Sequence, residues 1–277
     1  MFYEVAVIGA GPAGLSAAVN ARLRGKSVAV VGNNPEENPL WKAPKVDNYL
    51  GMPEKTGREL LEEFTVHAER SGTQLIRGKV LNVGTDTERW YLGVGTDVLE
   101  AGAVVLAAGV ARGRKFEGEE RFVGAGVSYC ATCDGMLYRG KRAAVLGFTA
   151  DAEQEAEHLR SIGVDTLFFP RPRQCELQGE HKVESIRVDG AEYAVDGVFI
   201  LRPTVAPADL IPGLETAGGF VTVNQAMATN LPGLFAAGDC TGLPLQLARA
   251  VGQGLVAGQS AAAYWDKIAK SQASESK

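Results

Sequence analysis

The sequence predicts an α/β protein of two three-layer domains, the first of them assembled from both chain ends. Three observations carry that expectation. Residues 4–31 read as strand, glycine loop, helix and strand; residues 142–169 repeat the pattern; residues 232–268 add a strand and a long helix after the repeat has finished. The 277 residues, 45% of them hydrophobic, can bury a core for one large or two medium domains, and the 34 glycines suit tight strand-to-helix turns.

Taken in order, Glu4-Val5-Ala6-Val7-Ile8 is a buried-strand run that enters Gly9-Ala10-Gly11-Pro12-Ala13-Gly14. An alanine-rich helical pattern follows to Arg24, and Ser27–Val31 is the second strand. In that setting the glycines form a dinucleotide fingerprint. They permit the turn, let the backbone approach a pyrophosphate and pack helix on strand, while the helix N-terminus favours the anion. The domain is therefore expected to be Rossmann-like, of the FAD/NAD(P)-binding type. The second strand ends at Val31-Gly32-Asn33-Asn34, without the acidic residue that would hold a ribose. Asn33 or Asn34 is the neutral hydrogen-bonding substitute.

Pro35, Pro39, Pro44, Gly51 and Pro53 punctuate an extended loop over residues 35–57, which carries Val46-Asp47-Asn48-Tyr49-Leu50-Gly51. It reads as a surface loop or a binding loop. Arg58–Arg70 has helical periodicity, with Leu60, Leu61, Phe64 and Val66 as its apolar face. Short strands are expected around Gln74–Val83, Trp90–Val94 and Val98–Glu100, then a buried run Ala103–Ala108 ending at Gly109.

Between the two repeats lies Cys130-Ala131-Thr132-Cys133-Asp134-Gly135. A zinc site would call for a second cysteine pair or clustered histidines, whereas Cys175 and Cys240 are isolated and His67, His158 and His181 are scattered. A purely structural disulfide across two residues would constrain little of the unfolded chain. The pair is read as a two-electron thiol–disulfide couple, with the Asp134 carboxyl to supply or remove the proton of the departing thiolate.

The second repeat is Arg142–Gly147, a loop Gly147-Phe148-Thr149-Ala150-Asp151-Ala152, a helix to Ser161 and a strand Asp165–Phe169. It is Rossmann-like as well, but Thr149 replaces the central glycine and its Cβ obstructs a close pyrophosphate approach. Arg171 and Arg173 either meet a phosphate or are solvated charges. From Val195–Leu201 the chain is expected to return to the first domain. Pro232–Cys240 is a strand ending at Gly238-Asp239, which aims a carboxylate at a cofactor hydroxyl or simply caps a turn. Leu247–Ile268 is a helix with small residues for close packing, and Ser271–Lys277 is expected to fray.

Composition excludes several classes. The formal charge is −5 and no basic stripe with interleaved aromatics appears, so nucleic acid is not an expected partner. No apolar stretch approaches the roughly 20 residues that span a bilayer. Residues 4–10 lack a signal peptide's basic region and cleavage pattern. Four cysteines without a secretory signal point to a reducing cytoplasm.

Together the Gly9–Gly14 loop, Asn48, the Cys130–Gly135 segment and the Phe235–Asp239 strand and turn resemble the low-molecular-weight thioredoxin reductases, flavoprotein disulfide reductases, over residues 4–265. The resemblance implies an FAD domain at residues 1–112 and 213–277, and a central NADPH-like domain at 113–212 that carries the cysteine pair. It implies that Gly9, Gly11, Pro12, Ala13 and Gly14 meet the FAD pyrophosphate and that Gly238-Asp239 meets the ribitol. Asn48, Gln246, Leu247 and Ala248 would lie near the isoalloxazine, and Val80 near the adenine. Cys133 would face the flavin and Cys130 would attack the substrate disulfide, with Asp134 as proton donor and acceptor.

The departures bear on the electron source. Thr149 interrupts the family's NADPH glycine loop, Phe169-Pro170-Arg171 replaces its His-Arg-Arg, and Asn38-Pro39-Leu40 replaces a Gly-Gly-Gln. Such losses resemble the pyridine-nucleotide-independent relatives, the ferredoxin-linked flavin thioredoxin reductases and the diflavin-linked disulfide oxidoreductases. The expectation is an enzyme with FAD, with room for a second flavin and without NADPH. It would pass electrons from reduced ferredoxin or that second flavin to thioredoxin or a similar disulfide protein, as a cytoplasmic homodimer. Arg139, Lys141 and Arg142 are candidates for docking an acidic ferredoxin. An NADPH-dependent reductase with a diverged pocket and a flavin-binding redox sensor without turnover are the alternatives.

Overall fold

Val5–Ile8 and Ala103–Leu106 contain no charge, and such runs are buried on both faces as neighbouring strands of a parallel sheet. That sheet is the centre of the first of two units in the computed structural model, which describes residues 1–86, 88–110, 115–129, 131–149, 151–202 and 206–275. The first unit comprises Met1–Ala111 with Ala206–Lys277, and the second Arg112–Val205.

The first unit begins with β1 (Phe2–Ile8), α1 (Pro12–Leu23), β2 (Val28–Gly32), α2 (Gly57–Arg70), β3 (Gln74–Arg77), β4 (Val80–Thr85), β5 (Trp90–Val94) and β6 (Asp97–Leu106). In the second unit follow β7 (Val127–Ser128), α3 (Ala131–Asp134), β8 (Arg142–Gly147), α4 (Ala152–Ser161), β9 (Asp165–Pro170), β10 (Cys175–Gln178), β11 (Ser185–Val188), β12 (Ala191–Ala194) and β13 (Gly197–Leu201). The chain then completes the first unit with α5 (Pro207–Leu210), β14 (Thr216–Ala217), β15 (Phe220–Val221), β16 (Leu234–Ala236) and α6 (Leu247–Glu275). The sheet of the first unit runs β3-β2-β1-β6-β5-β4, with β16 also paired to β6. The first half of β6 pairs antiparallel with β5, and its second half pairs parallel with β16. The second unit has a parallel sheet β7-β13-β8-β9 and a small antiparallel sheet β10-β11-β12.

The two strand–loop–helix units stand where the sequence puts them. Several other expectations need correction. Gln74–Val83 is two strands on opposite edges of the sheet, because the chain breaks at Gly78 (φ +152°). Val98–Glu100 and Ala103–Leu106 are parts of one strand; between them, a Cβ on Gly102 would fall 2.2 Å from the Trp265 ring, so glycine here serves packing. Val66 is 42% exposed, and Ala68 joins Leu60, Leu61 and Phe64 on the inner face of α2. That helix starts with a capping box, Thr56 Oγ1 accepting from the Glu59 N–H and Glu59 accepting from the Thr56 N–H.

Val195–Leu201 does not return to the first unit. It forms β13 and pairs with β7 and β8. The return comes at Ala206 rather than at residue 213, and α5 lies against β4 with Leu210 and Ile211 buried. Ser271–Glu275 continues α6.

Candidate functional site

Parallel strands β2, β1, β6 and β16 bring the loops at their carboxyl ends together, which is where open α/β sheets place ligands. Gly9 (φ +111°) has no room for a side chain, since a Cβ would sit 2.3 Å from the Ala107 carbonyl oxygen. A Cβ on Gly14 would sit 1.9 Å from the Gly9 oxygen, and one on Gly238 would sit 2.7 Å from the Ala13 Cβ. These three glycines weld the loops after β1, β6 and β16 to α1. Gly11 differs. Its backbone is ordinary (φ −88°, ψ −178°), and the nearest atom to a Cβ is the flexible Asn38 Nδ2 at 3.1 Å. Nothing in the protein requires glycine there, so the space it leaves in front of the α1 N-terminus is space for a ligand. That helix opens Gly11-Pro12, with no side-chain cap and no acidic residue in its first turn.

The other residues predicted for the first unit have these partners. Asn48 Nδ2 donates to Gln246 Oε1 (2.8 Å), joining the long loop to the start of α6, where Leu247 and Ala248 follow. Asn33 Nδ2 donates to Glu37 (3.1 Å) and Asn34 accepts from Arg77 (2.9 Å). Val80 opens β4, reached through Gly78, whose N–H donates to the Gly32 carbonyl (3.1 Å) across the end of β2. Asp239 rides on the turn Gly238–Gly242. Two residues the sequence did not single out fasten that turn from α6. Arg249 donates to the Gly242 carbonyl (2.7 Å) and Thr241 Oγ1 (2.9 Å), and Gln253 Oε1 accepts from the Gly238 N–H and Thr241 Oγ1 (both 2.9 Å).

In the second unit, Cys130 lies outside the described residues and Cys133 is described only as a position in α3. Their flanks are defined. Ser128 Oγ donates to Asp134 Oδ2 (2.7 Å), closing the segment from its two ends. Tyr129 donates its hydroxyl to Glu119 Oε1 (3.1 Å). Glu119 is fully buried; Arg202 donates to both its carboxylate oxygens (2.5 and 2.9 Å) and the Phe116 N–H to Oε2 (2.9 Å). Burial alone would push this carboxyl up, but the Arg202 hydrogen bonds, the Phe116 N–H, the guanidinium charge and Tyr129 together hold it below the usual carboxylate range. The Arg202 guanidinium stacks over Phe116 (4.9 Å) and Phe148 (5.8 Å), whose rings are 5.9 Å apart.

Phe148 belongs to the loop that matches Gly9–Gly14 in topology, standing where the first unit has Ala10, and Thr149 stands where it has Gly11. A Cβ on Gly147 would meet Ala152 and Phe168, both at 2.7 Å, so this glycine serves the fold. The helix behind it carries Glu153 and Glu155 in its first turn. Arg171 (φ +48°) ties its N–H to the Gly147 carbonyl (2.8 Å). Of the basic residues near the cysteine pair, Arg142 is engaged by Asp165 (2.6 Å) and Lys141 by the Leu137 carbonyl (3.0 Å).

Cys175 and Cys240 are buried, which pushes each thiol up to about 12, so neither supplies thiolate near neutral pH. Among the described residues no cluster of His, Cys, Asp or Glu is arranged for a metal ion, and no helix is long and apolar enough to cross a membrane.

The family model for pyridine nucleotide-disulphide oxidoreductases matches residues 3–150 and 148–254. The chain belongs to this family. A thioredoxin reductase from Aquifex aeolicus is 31% identical over 275 residues, covering 86% of this chain and 85% of that protein. Among solved structures, the ferredoxin-flavin thioredoxin reductase from Clostridium acetobutylicum superposes with a TM-score of 0.90 at 37% identity, covering 97% of this chain and 99% of that one. A thioredoxin reductase from Gloeobacter violaceus gives 0.82 at 27% identity, with 96% and 95% covered. The disulphide oxidoreductase is thus a flavoprotein of the thioredoxin reductase type, FAD-dependent and Rossmann-like in fold. The first unit fits FAD by its own geometry: a glycine-walled cradle, an uncapped helix N-terminus without nearby acids, and a carboxylate on a fastened turn.

Proposed function

We propose that this enzyme carries electrons from reduced ferredoxin through FAD and the Cys130–Cys133 pair to a protein disulfide of the thioredoxin class, without NADPH. One observation carries the choice of donor. The loop that would approach a nicotinamide dinucleotide presents Thr149, a Phe148 ring packed against Arg202, and a helix whose first turn is acidic. The close likeness to a protein described as a ferredoxin-flavin thioredoxin reductase supports the same choice.

FAD, when bound, supplies a two-electron store between one-electron donors and thiol chemistry. Gly9, Gly11, Pro12, Ala13 and Gly14 would hold its pyrophosphate, Asp239 its ribitol, and Val80 its adenine, with Asn33 beside the ribose. Asn48, Gln246, Leu247 and Ala248 would border its ring. In the thiol half of the reaction, two electrons and two protons convert the Cys130–Cys133 disulfide to a dithiol. Cys130 thiolate then attacks the substrate disulfide and one substrate sulfur leaves, taking a proton from Asp134. Cys133 resolves the mixed disulfide, which frees the reduced substrate and restores the ring. Ser128 holds the Asp134 carboxylate on the segment where that proton moves.

Arg171 and Arg173, at the carboxyl end of β9, are the observation that favours an NADPH-dependent reaction with a diverged pocket. Anaerobic mixing separates the two readings. Reduced ferredoxin is expected to bleach the flavin and yield thioredoxin thiols, while micromolar NADPH leaves the flavin oxidised. Rapid bleaching by micromolar NADPH overturns the choice of donor. Two flavins per chain in the purified protein would instead name a flavin donor.

A further inference from the structure

Glu119 is a charge taken wholly out of water, and such a group is tolerated only with its partners in place. Its partners come from three directions in the chain. The Phe116 N–H donates from the segment that enters the second unit, Arg202 donates from the end of β13, and Tyr129 donates from the residue next to Cys130. The guanidinium is held flat by Phe116 and Phe148, so the carboxylate is fixed in position. Tyr129 therefore hangs from a rigid point. Six residues later, Asp134 is tied back by Ser128.

We propose that the Arg202–Glu119–Tyr129 chain is the anchor of the redox segment, and that these three are positioning residues for disulfide closure between Cys130 and Cys133. The inference rests on the redox reading of that pair. Closing the ring removes two electrons and two protons from the two thiols, and the equilibrium depends on how strongly the backbone holds the thiols toward each other. An anchored segment raises their effective concentration, and a slack one lowers it. Nothing local marks Glu119, which sits in the acidic run Glu117-Gly118-Glu119-Glu120 with only one of its carboxylates buried.

The test is the midpoint potential of the pair in the flavin-loaded protein. It is equilibrated in dithiothreitol buffers of graded ratio, alkylated and read by mass spectrometry. Tyr129→Phe keeps the ring and its packing and removes only the hydroxyl. It is expected to shift the disulfide-to-dithiol ratio about tenfold toward dithiol, a potential about 30 mV more positive at two electrons. Glu119→Gln, which keeps an acceptor for Tyr129, should shift less than Arg202→Met. A purely structural role would lower the melting temperature and leave the potential in place. Potentials within twofold of wild type in both Tyr129→Phe and Arg202→Met overturn the anchor. If wild-type Cys130 and Cys133 show no reversible two-electron couple at all, the redox reading falls and the anchor with it.

Discussion

The loops after β1 and β8 occupy the same place in two copies of one topology, and their chemistry is opposite. After β1, Gly11 leaves open space before a helix with no acid in its first turn. After β8, Phe148 is stacked under Arg202, Thr149 stands at the central position, and Glu153 and Glu155 begin the helix. The strands, the crossing helix and a glycine at the strand end are common to both. What differs is the central position of the loop, Gly11 in one and Thr149 in the other, and the acids that follow it. Topology supplies a place for a dinucleotide, and a handful of side chains decides whether one can be held.

The comparison can be broken most sharply at Gly11. Gly11→Ala places its Cβ 3.1 Å from the flexible Asn38 Nδ2 rather than against backbone, so the flavin-free protein should melt near wild type while flavin affinity falls more than about 100-fold, some 3 kcal/mol. Titration of the flavin-free variant with FAD, followed by fluorescence, checks this. Gly14→Ala is the contrast, because its Cβ collides with the Gly9 carbonyl. It should lower stability itself, by about 1–3 kcal/mol. In the second loop Thr149→Val should change neither flavin content nor melting.

An effect of similar size, confined to the second unit, depends on pH. Glu119 is held below its unfolded value of 4.5, so its contribution is present above that value and is lost as pH falls through the folded value. Glu119→Gln should cost about 3 kcal/mol at pH 7. The gap between variant and wild type should narrow toward pH 3, as seen in melting curves across that range.

The smallest expected change is a gain. Removing the charge of Glu153 and Glu155 together with Thr149→Gly should improve NADPH binding by at most about 30-fold, taking each acid at a helix start as about 0.3–1 kcal/mol. Phe148 and Arg202 still fill the loop in that variant. A wild-type deficit on the order of 3–6 kcal/mol against a well-formed site, from lost charge-assisted and backbone bonds, would remain largely in place. Calorimetric titration with NADPH checks both numbers.

Much of this was legible in the residues because local signals and packing agree. Glu4–Gly14 reads as strand and loop from composition alone, and the geometry gives each glycine a distinct reason. Legibility failed where a glycine or a charge acts through something distant in sequence. Gly102 looks like a strand breaker until Trp265 fills it. The two edge strands in Gln74–Val83 look like one, because short apolar stretches either side of Gly78 do not announce which partner each half will take. Val198–Leu201 is apolar throughout and carries no mark of which sheet it joins. Arg249 and Gln253 sit among small residues of α6 as if on a solvated face, yet they fasten the Asp239 turn. A guanidinium directly after the wholly buried β13 was the one visible hint of the Arg202 network.

Trp265 also sets a timetable. Its ring lies against Gly102, its Nε1–H donates to Glu4 (3.1 Å), and the neighbouring Asp266 engages Lys26. β16 completes the edge of β6, and α6 lies along α1. On the ribosome, the second unit has all its strands as soon as β13 emerges. The first unit, begun earlier, must wait for the last turns of the last helix. Synthesis therefore supplies all of the middle unit before the unit that begins the chain, whose sheet and packing close only after α6 has emerged.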